Sequence, residues 1–204
     1  METETKNQSA LLGKHRLEAL TDGIYSIAAT LLVLELKLAP LPHGSTNEAL
    51  TQALIEVAPK GLTWLLSFWV MAIFWLLQLR LYRLSASLDW SMVWVELVQL
   101  ALISLLPFST AVMGEHGRLP TASVLYSANL LGIALCSWYR TAHFLAHPEL
   151  HATILPGTVA TALRRRASVL VAATTATLTL AFFFPAWNML AMLPTVLLRR
   201  VAKL

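Results

Sequence analysis

Long apolar runs constrain this chain more than any other feature of its sequence. Six can be marked out: Leu17–Leu38, Gly61–Leu84, Trp90–Met113, Thr121–Leu145, Ala167–Phe184 and Ala186–Leu198. A helix crosses the hydrocarbon layer with about 20 apolar residues, in a range of about 17 to 25. The runs are continuous rather than alternating, so they read as helices and not as barrel strands. Composition agrees, because only 13% of the 204 residues are charged and 57% are hydrophobic. An average soluble domain carries roughly 25% charge. The expectation is an all-α polytopic membrane protein with six transmembrane helices. The fifth run is marginal and the sixth short, so the last pair reads as a tight hairpin bent at Pro185 or a re-entrant segment.

Charge placement supports an even number of spans. Lys6, Lys14, Arg16, Arg80, Arg83, Arg140, Arg164, Arg165, Arg166, Arg199, Arg200 and Lys203 fall on one side, against Lys37, Lys60 and Arg118 on the other. The positive-inside rule then places both termini in the cytoplasm of a multi-pass protein of the inner (plasma) membrane. The net charge of +4 sits at the ends of apolar runs, which points to the anionic leaflet as partner and away from nucleic acid. Residues 1–15 read as a polar cytoplasmic segment without a signal-peptide pattern, and residues 16–204 as one membrane domain. Pro40, Pro42, Gly44 and Asn47 mark an outer loop, Ala39–Lys60, and Pro156 and Gly157 an inner one, Pro148–Arg166. Trp64, Trp90 and Trp187 lie near expected span ends. Cys136 is alone, so no intramolecular disulfide forms.

The first run differs from the others. It carries Glu18, Asp22 and Glu35, and carboxylates inside a span usually face protein or water. Asp22 lies about a turn inside the run and calls for a buried partner. At 100° per residue, Leu20, Ile27, Leu31 and Leu34 share a stripe with Thr30 at its edge, while Asp22 and Ser26 fall roughly opposite. From periodicity alone, that stripe is ordinary helix packing.

The segment from Arg16 through Leu20-Thr21-Asp22 resembles the first-helix signature of the transmembrane protein 175 family, Arg-x-x-x-Phe-Ser-Asp. Leu20 stands for Phe and Thr21 for Ser. Phe74-Trp75 with Arg80-Leu81-Tyr82 is similar to the family's second-helix segment, and Leu106-Pro107-Phe108-Ser109-Thr110 to the end of its third. Where the family usually has a His pair, this chain has Gln78 and Leu79. The resemblance implies a potassium channel: a homotetramer of six-helix subunits whose first helices line the pore. It implies Ile27 as the main constriction, with Leu31 and Leu34 further outward and Thr30 offering a hydroxyl to a dehydrating cation. Arg16, Thr21, Asp22, Trp75 and Gln78 become a structural network that orients the first helix. Neither the family nor this sequence has a Thr-Val-Gly-Tyr-Gly filter loop, so the ring of branched aliphatics would gate by dewetting. Glu35 would add charge at the pore mouth. The expected partners are further copies of the chain, membrane lipid and K+, with other monovalent cations or protons. No cofactor is called for. A secondary cation transporter, which needs repeats and a broken helix, and a non-conducting scaffold are the rival readings.

Other residues carry weaker signals. His143, His147 and His151 repeat at helical spacing, a weak metal-site pattern that Pro148 interrupts. Glu96 and Gln99 are candidates to receive Arg16 or Arg80, and Asn129 to make an interhelical hydrogen bond. Thr174, Thr175, Thr177 and Thr179 are expected to bond their own helix backbone or a neighbour. Signatures of hydrolases, zinc proteases, phosphate loops and dinucleotide binding are missing, so an enzyme is not expected.

Overall fold

The computed structural model describes residues 2–184. These form five helices: α1 (Glu2–Val33), α2 (Asn47–Leu84), α3 (Trp90–His116), α4 (Pro120–Ala146) and α5 (Gly157–Phe183). A single 3₁₀ turn, Pro148–Leu150, follows α4. No named strand occurs among the described residues; Ser85 and His151 form an isolated antiparallel bridge. The fold is all-helical. α2 to α5 are long and apolar enough to cross a membrane. The expected sixth run, Ala186–Leu198, lies outside the described residues with Pro185, Trp187, Arg199, Arg200 and Lys203.

Several boundaries differ from the sequence reading. α1 runs unbroken through residue 15 and ends at Val33, so Leu34 and Glu35 sit in the turn that follows. α1 is also not among the helices apolar enough to span alone, because Arg16, Glu18 and Asp22 crowd its middle. The outer loop is much shorter than Ala39–Lys60. The Thr46 side chain accepts from the Ala49 amide and starts α2 at Asn47, with Pro59 inside the helix. A lone proline removes one backbone bond, and neighbours make it tolerable. The inner loop contracts likewise, since α5 begins at Gly157 and takes in Arg164, Arg165 and Arg166.

Helices α3 and α4 form the centre. Ile103, Leu106, Leu130 and Ile133 are fully buried there and meet Phe74 of α2, Leu170 of α5 and Leu32 of α1. At Gly132 a Cβ would come within 2.9 Å of Leu102 Cδ1, so any larger residue there requires the Leu102 side chain to shift. Side-chain hydrogen bonds reinforce the packing. Asn129 Nδ2 donates to Ser109 Oγ (3.2 Å), and Thr110 donates to Ser67, itself 3.0 Å from Tyr126 Oη. Thr174, Thr177 and Thr179 donate to carbonyls one turn back in α5. A smaller cluster of Leu81, Met92, Phe144, Leu150 and Leu163 closes the basic end. At the other end Lys60 of α2 pairs with Glu115 of α3 at 3.6 Å.

Candidate functional site

Helix α1 packs through a narrow stripe and leaves the rest of its circumference uncovered. Thr21, Tyr25, Ala28 and Leu32 are buried, as a repeat of three and four residues requires of one helical face. On the uncovered side Ile27, Leu31 and Leu34 are 61%, 42% and 62% exposed. Thr30 is exposed beside them, and Asp22 and Ser26, also exposed, lie further round the helix. An uncovered surface mixing carboxylate, hydroxyls and branched aliphatics suits neither pure lipid nor a dry core. Thr30 Oγ1 donates to the Ile27 carbonyl at 2.9 Å, which leaves its oxygen lone pairs directed outward. Leu34 lies past the last helical residue, yet its amide still bonds Leu31 O at 3.1 Å, so it continues the stripe. Glu35 is half-buried and lines a small pocket with Lys60, Trp64 and Glu115, apart from the stripe.

Polar side chains do most of the holding of α1. Trp75 Nε1 donates to Asp22 Oδ1 at 2.9 Å. Gln99 donates to Tyr25 Oη (3.2 Å), and Thr21 Oγ1 donates to Glu96 Oε1 (3.1 Å) while lying 3.2 Å from Tyr82 Oη. Lys14 Nζ donates to Ser85 O at 2.7 Å. Behind Thr21, Glu96 of α3 is ion-paired with Arg140 of α4, and Gln78 of α2 bonds both. Glu96 and Arg140 are each 2% exposed. Four helices therefore meet at one buried polar knot.

The expected network is thus brought together only in part. Thr21, Asp22, Trp75 and Gln78 take part, but Asp22 is exposed although bonded, and the exposed Arg16 is not part of the knot. The cation that meets Glu96 is Arg140, and neither Arg16 nor Arg80. Arg140 had been counted among the charges at a span end, whereas it is buried within α4. Its position six residues inside the Thr121–Leu145 run was the signal that could have found it.

The three histidines do not converge on a metal. Among the described residues no group of three His, Cys, Asp or Glu is placed to hold one. α4 ends at Ala146, and the turn at Pro148 sends His151 away to donate to Phe144 O (2.8 Å). His147 donates to His143 O (2.9 Å), and the two rings pack with centroids 4.0 Å apart. His143 Nε2 lies 2.6 Å from Asp89 Oδ2. Partial burial alone would raise the Asp89 carboxyl. The Met92 amide and His143 outweigh it and hold the group below its ordinary value.

Comparison with known proteins adds a second line. Residues 16–107 match the family described as endosomal/lysosomal potassium channel TMEM175. A potassium channel of Chamaesiphon minutus is 32% identical over 123 residues, covering 59% of this chain and 60% of that protein. One of Streptomyces collinus is 30% identical over 138 residues, covering 63% and 66%. The chain therefore spans less than two thirds of the length of these curated relatives. The crystal structure of a lysosomal potassium-selective channel TMEM175 homologue from Chamaesiphon minutus superposes with a TM-score of 0.78 at 23% identity. It covers 93% of this chain and 97% of that one, which is a likeness of fold.

Proposed function

From the match of residues 16–107 to the TMEM175 family and the likeness to bacterial potassium channels, we propose that this chain is a member of that family and a potassium-permeable channel, not an enzyme. Four copies surround a central pore lined by α1, each subunit contributing six helices once Ala186–Leu198 is counted. Both termini lie in the cytoplasm of the plasma membrane. The observation that carries this reading is the uncovered face of α1. A helix too polar for lipid leaves Ile27, Leu31 and Leu34 exposed, and a pore axis is the setting that uses such a face.

Repeated around that axis, Ile27 forms the tightest ring, with Leu31 and Leu34 outward of it. Branched aliphatic rings exclude water when narrow, which closes a pore without a plug. Thr30 presents oxygen lone pairs to a cation losing hydration, and Glu35 adds negative charge near the outer mouth. Thr21, Asp22, Trp75 and Gln78 fix the orientation of α1 and so the radius of the ring. K+ is the permeant ion and no cofactor takes part.

Purified full-length protein in liposomes with an outward K+ gradient tests the reading. A channel dissipates the gradient passively, without a coupling ion. Flux that requires a second ion identifies a transporter, and absence of flux at any voltage identifies a scaffold. Ile27→Asn wets the constriction and is expected to raise K+ flux severalfold. Unchanged flux in that variant removes Ile27 from the gate.

A further inference from the structure

A second feature lies at the basic end, away from α1. The end of α4, the 148–157 segment and the first turns of α5 enclose a cleft of about 840 Å³. Leu145, Ile154, Leu155, His151, Thr161 and Arg164 are among its walls. Its depth follows from α5 itself. Ala167–Phe183 is a stretch of 17 residues without a charge, about 26 Å at 1.5 Å per residue, close to the roughly 30 Å hydrocarbon layer. Arg164 therefore sits at the edge of the hydrocarbon, and Gly157 to Thr161 fall in the headgroup layer beyond it.

The walls match that depth. Arg164 supplies a cation beside Thr161 and His151, with Arg165 exposed on the next position. His151 Nε2 is used by Phe144 O, so Nδ1 is the nitrogen left to meet a ligand. Ile154, on the rim, is 97% exposed. A bare branched aliphatic next to arginines at headgroup depth meets acyl chains below and phosphate above. A protein partner in the cytoplasm offers no reason for that depth.

We infer that this cleft binds an anionic phospholipid, with the headgroup phosphate at Arg164 and Thr161 and acyl chain along Leu145, Ile154 and Leu155. The inference does not depend on ion conduction. It requires only that this end of α5 lies at a membrane surface.

The test uses full-length protein in detergent and native mass spectrometry with phosphatidylglycerol, phosphatidylcholine or inorganic phosphate as probes. Wild type is expected to retain phosphatidylglycerol in preference to phosphatidylcholine, and millimolar inorganic phosphate is expected not to displace it. Arg164→Gln should weaken retention about fivefold, the effect of one basic residue at an anionic surface, whereas Arg165→Gln changes it less than twofold. Equal retention of both lipids, or an Arg164→Gln variant that binds like wild type, overturns the site. Displacement by free phosphate assigns it to a soluble anion instead and overturns the lipid. A second readout does not rely on Arg164. In a Cys136→Ser background, maleimide labelling of Ala160→Cys should be blocked by phosphatidylglycerol and proceed without it. Blocking in the absence of lipid means that the chain's own residues 185–204 fill the cleft, which also overturns the inference.

Discussion

The buried knot at Glu96 and Arg140 shows how much one residue pair can decide. Two charges removed from water are tolerable only while they satisfy each other and their remaining hydrogen-bonding groups. Glu96→Ala leaves Arg140 buried without its counter-ion, and the expected loss of stability is about 3 to 5 kcal/mol. Replacing both partners with apolar residues, Glu96→Leu with Arg140→Met, should cost less than the single change. Chemical unfolding of purified protein in detergent measures both, and equal losses would mean that the pair itself is not what matters. That Ile27, Leu31 and Leu34 share one face of α1 was legible in the sequence through the helical period, although periodicity alone reads that face as packed rather than exposed. The knot was not legible. Periodicity shows which residues share a face, but a single sequence does not say which helices are neighbours, so it offers Arg16 or Arg80 as partners of Glu96 and does not point to Arg140.

At the scale of elements, the helices and their order were readable and their starts less so. Pro40, Pro42 and Gly44 mark a real loop, but Asn47 to Ala58 carries no helix breaker after the Thr46 cap, and Pro59 alone does not stop α2. At 38 residues and 1.5 Å each, α2 is about 57 Å long, well beyond the 40 to 45 Å of a bilayer with its headgroups. An upright α2 therefore does not fit wholly within a bilayer, and its first turns, before the Gly61–Leu84 run, leave Leu50, Leu54 and Ile55 exposed. The junction of α3 and α4 at the basic end carries a pH dependence with a definite sign. Asp89 caps α3 through Met92 and meets His143 of α4, and its folded-state pKa is depressed. Its contribution is present above the unfolded pKa of about 4 and is lost as pH falls through the lower folded value. Asn also caps helices well, so Asp89→Asn isolates the charge. The variant should be less stable than wild type at pH 7, and the difference should vanish in acid. Unfolding midpoints at several pH values check this, and a gap that persists at pH 2 would show that capping rather than charge was lost.

For the whole molecule, assembly is the consequence with the clearest measurement. An uncovered face on α1 is satisfied when copies close around an axis, and cyclic closure leaves no copy of that face unpaired. Light scattering of the detergent-solubilised protein should give a protein mass four times the 22.5 kDa of one chain. Leu34→Cys in a Cys136→Ser background should cross-link between subunits on oxidation. A monomer by both measurements would leave no central pore. The attachment of α1 also sets a sequence of events in time. Its hydrogen-bonding partners Trp75, Tyr82, Gln99 and Glu96 lie 53 to 75 positions further along the chain. α1 leaves the ribosome before these partners, too polar to stay in lipid unaided, and can settle only after α3 has been made. In this protein a segment made ahead of its partners must wait for them to find its place.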